Sequence, residues 1–146
     1  MIKIKKEETE SHTISILVDN EAGALARVIG LFSGRGYNIE SLSVAEIDQD
    51  KHKSRITIVT NGSMMTINKI KSQLERLVPV HSVNDLTSEG PSIEREMALI
   101  KVVCSKNDRE EVIRLSEVYR AKTVDTTKDS FIFELTGNIE KINSFV

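Results

Sequence analysis

The apolar residues of this chain change period in a fixed order, from two to about 3.6 and back, and that order is begun twice. Residues 13–18 alternate, with Ile14, Ile16 and Val18 on one side and Thr13, Ser15 and Leu17 on the other, which describes a strand with one strongly apolar face. After residues 19–23 the period becomes helical. Leu25, Val28, Ile29 and Phe32 share one helix face, with Asn20 as the expected cap and Gly34 and Gly36 as the stop. Residues 39–47 and 55–60 read as two further strands joined by a charged connection. Ile67, Ile70, Leu74 and Leu77 form a second helical stripe with Pro79 just beyond it, and residues 80–86 form a fourth strand. The order is βαββαβ.

Gly90-Pro91, flanked by Ser and Thr, marks a turn-rich linker, after which the pattern restarts. Residues 97–104 read as a strand holding the lone Cys104 as a small apolar filler. Asn107 is the expected cap of a helix, with Glu110 completing a capping box and Val112, Leu115, Val118 and Tyr119 on the apolar side. Residues 122–127 and 130–135 form a hairpin around Lys128-Asp129, and Asn138 caps a last helix carrying Ile139, Ile142, Phe145 and Val146. The expectation is an α+β chain of two ferredoxin-like (βαββαβ) units, the second lacking its last strand. A tail occupies residues 1–10, the first unit 11–87, the linker 88–94 and the second, incomplete unit 95–146.

Composition removes several function classes. The net charge is -2 with mixed signs, so the basic stripe of a nucleic-acid binder is missing. Aromatic residues make up 4%, and the sheet positions that would stack bases in an RNA-recognition domain are Thr13, Ser15, Ser41, Ser43, Arg55 and Thr57. His12, His52 and His81 share no ligand spacing with one another or with Cys104 and are expected at the surface or at strand edges. Gly34-Arg35-Gly36 follows a helix instead of opening one, which makes it a helix stop and not a phosphate loop. No apolar run approaches the roughly 20 residues of a membrane helix, and the N-terminus lacks a secretory h-region. Both point to the cytoplasm or an organelle matrix.

The strongest local signal is Asp19-Asn20-Glu21-Ala22-Gly23-Ala24-Leu25. A helix N-terminus offers unpaired amides and partial positive charge. With no side chain at Gly23, a ligand carboxylate can approach the amides of Gly23, Ala24 and Leu25. Asn38 adds a donor and an acceptor, and Ile39 an apolar wall. Such a set suits a free branched-chain amino acid; the plain alternative is that Asn20 caps, Gly23 turns and Asn38 starts a strand.

The stretch His12-Thr13-Ile14-Ser15, followed by residues 19–28 and by the run from Ile29 to Leu42 (Ile29-Gly30-Leu31-Phe32-Ser33-Gly34-Arg35-Gly36-Tyr37-Asn38-Ile39), resembles the ACT domain, an amino-acid-sensing module. It is close to the pattern of the acetolactate (acetohydroxyacid) synthase small, regulatory subunit. Residues 54–60, 73–80 and 94–102 resemble the same family. The resemblance implies that residues 11–87 form an ACT domain and that the chain is a non-catalytic regulatory subunit. It implies activation of the large catalytic subunit, feedback inhibition by valine and a homodimer through the ACT domains. It places thiamine diphosphate, FAD and Mg²⁺ on the catalytic subunit and none in this chain. Asn20, Gly23, Ala24, Leu25, Asn38 and Ile39 fall at the family's valine-binding positions; Ala22 stands where proline or serine is usual. A stand-alone amino-acid sensor acting on another enzyme or a transcription factor is the alternative. An acylphosphatase-like enzyme would need an arginine where Asp19 and Glu21 stand.

Overall fold

The structure, a computed structural model, describes residues 9–146. Most of the expected tail lies outside the described residues, and its last residue, Glu10, already belongs to the first strand. Two compact units follow, one ending at Ser92 and the other spanning Ile93–Val146.

The first unit runs β1 (Glu10–Asp19), α1 (Ala24–Gly34), β2 (Ser41–Asp48), β3 (Lys53–Gly62), α2 (Met64–Leu74) and β4 (Val80–Asp85). Its sheet is antiparallel throughout, in the order β2-β3-β1-β4, with β1 at the centre and β2 at an edge. Alternation decides the faces. Ile14, Ile16 and Val18 of β1, Ile56 and Ile58 of β3 and Val83 of β4 are buried against Val28 and Phe32 of α1 and Ile67, Ile70 and Leu74 of α2. Fully burying side chains of this size contributes about 1.5–3 kcal/mol each, so this layer carries most of the unit's stability.

Several local expectations shift for identifiable reasons. Residues 19–23 run three residues further than an Asn20 cap allows, so Gly23 becomes the N-cap of α1 and Asn20 bonds elsewhere. The buried face of α1 is Ala24, Val28 and Phe32, and Leu25 is turned outward. Strand β2 starts two residues later than the sequence suggested, leaving Ile39 in the approach to it but packed on the core. Strand β3 is longer at both ends because it pairs with β1 along that strand's full length. Leu77 lies past the end of α2 and still packs on the core.

His12 is not a surface residue. It is 2% exposed, with its Nδ1 2.9 Å from Oδ2 of Asp85, itself 1% exposed. Asp85 also accepts from the Ser88 hydroxyl and, at 3.1 Å, from the Thr87 amide. The Thr13 amide donates to the Thr87 hydroxyl, and Thr13 carbonyl accepts from the Leu86 amide at 2.9 Å. This closure is also why Thr13, expected on the open face of the sheet, is buried.

The second unit runs β5 (Glu96–Val103), α3 (Arg109–Val118), β6 (Lys122–Thr126), β7 (Ser130–Gly137) and α4 (Ile139–Phe145), with the three-stranded antiparallel sheet β5-β7-β6. Phe131, Phe133 and Leu135 alternate into its core with Ile142. Phe133 meets Phe145 edge-on, and Arg109 lies over Phe131 at 4.2 Å from the ring centre. Asn138 caps α4 through the Lys141 amide, as expected. Asn107 does not cap α3: its amide donates to the Ser105 hydroxyl, and Asp108 takes the cap position without a side-chain bond. Val118 and Ile139, expected on apolar helix faces, are 72% and 50% exposed, because three strands offer too narrow a sheet to cover them. Cys104 sits half-buried one residue past β5, its amide held by the Asp129 carbonyl.

Candidate functional site

Loop 19–23 is built as a rigid approach to α1. Gly23 has φ +85°, in the left-handed region that L side chains rarely adopt. A Cβ there would meet nothing within 4 Å, so the dihedral and not crowding calls for glycine. The first amide returned to the helix is that of Arg27, donating to the Gly23 carbonyl at 3.0 Å. The Ala24 amide is taken by the Glu21 carbonyl at 3.2 Å, which corrects the expectation that it is free for a ligand. Among the described residues the amides of Gly23, Leu25 and Ala26 have no backbone acceptor. Three N–H groups at the positive end of a helix dipole thus remain for a carboxylate.

Two anchors fix this loop. Asp19 Oδ1 accepts from Lys53 Nζ at 2.6 Å and from His81 Nε2 at 2.7 Å. The Lys53 bond first, and the His81 bond second, hold the Asp19 carboxyl below its usual range. His81 reaches Asp19 because a bulge in the β1–β4 ladder skips it, pairing Val18 with Val80 and Leu17 with Ser82. On the other side, Asn20 Nδ2 donates to Glu46 Oε1 at 3.0 Å, tying the loop to edge strand β2, and the Asn20 amide donates to the His52 carbonyl at 2.7 Å.

Asn38 and Ile39 lie elsewhere. Asn38 Nδ2 donates to Glu40 Oε1 at 2.7 Å, its carbonyl accepts from the Thr60 hydroxyl at 2.6 Å, and Glu40 also accepts from Asn61. Thr60 pairs with His12 near one end of the β1–β3 ladder, whereas Lys53 pairs with Asp19 at the other. Gly23 and Asn38 therefore sit at opposite ends of α1, about 16 Å apart by the rise of an 11-residue helix. Within one chain the two halves of the expected site do not meet.

The sequence reading missed the two carboxylates. Glu46 partners Asn20 and Glu40 partners Asn38, so each half holds an asparagine bonded to a glutamate. A signal was available: Ser41, Ser43 and Ala45 are small on one side of β2, which leaves Glu46 conspicuous on the other. Among the described residues no three His, Cys, Asp or Glu side chains gather to hold a metal ion, and no described helix is long and apolar enough to cross a membrane.

Residues 14–82 match a family model described as the AHAS small subunit-like ACT domain, and residues 95–146 one described as the small subunit of acetolactate synthase. Fold and loop together define an ACT-domain protein with a second α+β unit. The chain is 43% identical over 145 residues to the acetolactate synthase small subunit of Aquifex aeolicus, covering 99% of this chain and 74% of that one. It is 45% identical over 133 residues to the acetolactate synthase isozyme 3 small subunit of Salmonella typhimurium, covering 91% and 80%. Among solved structures, the acetolactate synthase small subunit from Thermotoga maritima superposes with a TM-score of 0.84 at 37% identity, covering 93% of this chain and 84% of that one. The chain belongs to the acetolactate synthase small-subunit family.

Proposed function

We propose that this chain is a regulatory subunit that binds the large catalytic subunit of acetolactate synthase, raises its activity and confers feedback inhibition by valine. The carrying observation is the split site. The Gly23 loop and Asn38-Ile39 lie at opposite ends of a unit in which β2 is an edge strand among the described residues. Antiparallel pairing of β2 with its copy reverses direction, bringing the Ser41 end of one strand beside the Asp48 end of the other. The same operation sets Asn38-Ile39 of one protomer next to the Gly23 loop of its partner. An unpaired edge strand also favours such a pairing.

In that dimer the valine carboxylate meets the amides of Gly23, Leu25 and Ala26. Its ammonium meets Glu46 and the Asn38 side chain, and its isopropyl group packs on Leu25 and Ile39. Ala24 shapes the loop, and Asn20 orients Glu46. The chain contributes no group to the reaction; thiamine diphosphate, FAD and Mg²⁺ act on the catalytic subunit. Valine inhibits by binding one dimer arrangement more tightly than the other, by about 1–3 kcal/mol as in other coupled sites.

Calorimetric titration of the chain with valine, followed by reconstitution with the catalytic subunit, tests this reading. Valine is expected to bind at one site per half-dimer interface and to inhibit the reconstituted enzyme. A dimer that binds valine but leaves the catalytic subunit unbound in co-purification would instead identify a stand-alone sensor. Asn38→Ala and Glu46→Gln are each expected to weaken valine binding roughly tenfold, the usual cost of losing one charge-assisted bond, with unfolding midpoints unchanged. Unaltered valine affinity in both would reject the split site.

A further inference from the structure

The outward side of the helix layer in the first unit carries a groove that the effector site does not use. It lies between α1 and α2, has a volume of about 420 Å³ and is lined by Arg27, Leu31, Arg35, Gln73, Arg76 and Leu77. Leu31 and Leu77 form an apolar floor continuous with the core. Three guanidinium groups stand over that floor in a chain whose net charge is -2. Arg27 is 3.6 Å from Glu21 and half exposed, a weak surface pair. Arg35 and Arg76 have no ion pair among the described residues. A second depression shares Gln73 and Arg76 and extends the positive charge along α2 to Lys69, beside Met65. The acids of this layer are Glu21, already engaged, and Glu75 next to Arg76.

The Gln73 side chain gives the groove a second preference. Its Oε1 is buried and has no hydrogen-bond partner among the described residues. A buried acceptor without a donor is unfavourable, and an apolar side chain there would be neutral or stabilising. A side-chain amide offers N–H donors and a carbonyl acceptor, the same two kinds of group that a peptide presents. Turned into the groove that it lines, this amide can meet both groups of a peptide backbone, whereas a phosphate, rich in acceptors, can use only its N–H groups.

We propose that the α1/α2 groove docks an extended acidic segment of the catalytic subunit, with carboxylates on Arg35 and Arg76, an apolar side chain on Leu31 and Leu77, and a backbone amide on Gln73. This rests on the reading of the chain as a regulatory subunit and adds the surface and the chemistry of the contact. The groove is lined by residues of the helix layer, whereas self-pairing through β2 uses the backbone groups of a strand edge.

The test is the affinity of the full chain for the purified catalytic subunit at low and moderate salt, with valine binding to the free chain measured in parallel. Arg35→Glu together with Arg76→Glu is expected to weaken association roughly tenfold or more, because like charge then faces the acidic segment. The salt dependence should become shallower, and valine affinity should stay that of the parent. Gln73→Leu is expected to weaken association without lowering the melting temperature of the free chain, a combination that loss of folding cannot produce. Parent-like association in the reversal variant, or in Gln73→Leu, would overturn the proposal while leaving the regulatory reading intact. Failure of the parent to associate at all would overturn both. Inorganic triphosphate bound by the parent and lost in the reversal variant, with association unchanged, would assign the groove to a small polyanion and also overturn the docking proposal.

Discussion

A chain carrying Gly23→Asp is expected to give no measurable heat on titration with valine, a loss of at least about a hundredfold, and to leave the reconstituted enzyme insensitive to valine. Two effects separate cleanly at this position. The backbone has φ +85°, which costs an L residue about 1–2 kcal/mol, less for Asn and Asp, which tolerate that region. The added carboxylate then stands before the same three amides that await the ligand's own. Gly23→Asn carries nearly the same backbone cost without the charge, so the gap between the two variants reports the charge alone. With no atom within 4 Å of the new Cβ, both variants are expected to fold. Equal, parent-like valine affinity in both would show that the ligand carboxylate goes elsewhere.

The second large effect is structural. Asp85→Ala is expected to destabilise the first unit by about 3 kcal/mol or more, the usual result of removing one partner from a buried pair. His12, 2% exposed, would be left facing an apolar space, and the Ser88 hydroxyl and Thr87 amide would lose their acceptor. Amide hydrogen exchange in β1 reads the first unit separately from the second. The dependence on pH has a definite sign. Burial pushes the Asp85 carboxyl up, but the bonds from Ser88, His12 and the Thr87 amide outweigh that and hold it below its usual value. Its contribution is therefore complete above the unfolded value of about 3.9 and disappears as pH falls through the lower folded one. Parent and variant should differ most near neutrality and converge in strong acid. A constant difference down to pH 2 would mean that packing, not the charge, carries the effect.

What the sequence could disclose followed the range of the interactions. Ile14, Ile16 and Val18 announced a strand by alternation, and Ile67, Ile70 and Leu74 a helix by spacing, because both periods are local. The α1 boundary was misplaced because Asn20 has the chemistry of a cap, while its actual partner, Glu46, is 26 residues away. Val28 and Phe32 of the expected α1 face are buried, but at the helix start tertiary packing buries Ala24 and leaves the larger Leu25 turned outward. The turn at Gly23 was legible, since positive φ at a helix start selects for glycine. The roles of His12 and His81 were not, because each depends on a strand register or bulge that no local pattern encodes.

The central place of β1 has a consequence for how the molecule comes into being. It leaves the ribosome ahead of both strands that flank it. Its bond from Lys53 to Asp19 closes a separation of 34 residues, and His12 to Asp85 one of 73. The hairpin of β2 and β3, by contrast, needs only the short connection between Asp48 and Lys53. Loop-closure entropy favours the hairpin forming early and β1 slotting between β3 and β4 late. Until then Ile14, Ile16 and Val18 present an apolar ribbon with both edges open. The order of closure thus exposes, for an interval, an apolar surface that the finished fold encloses on either side.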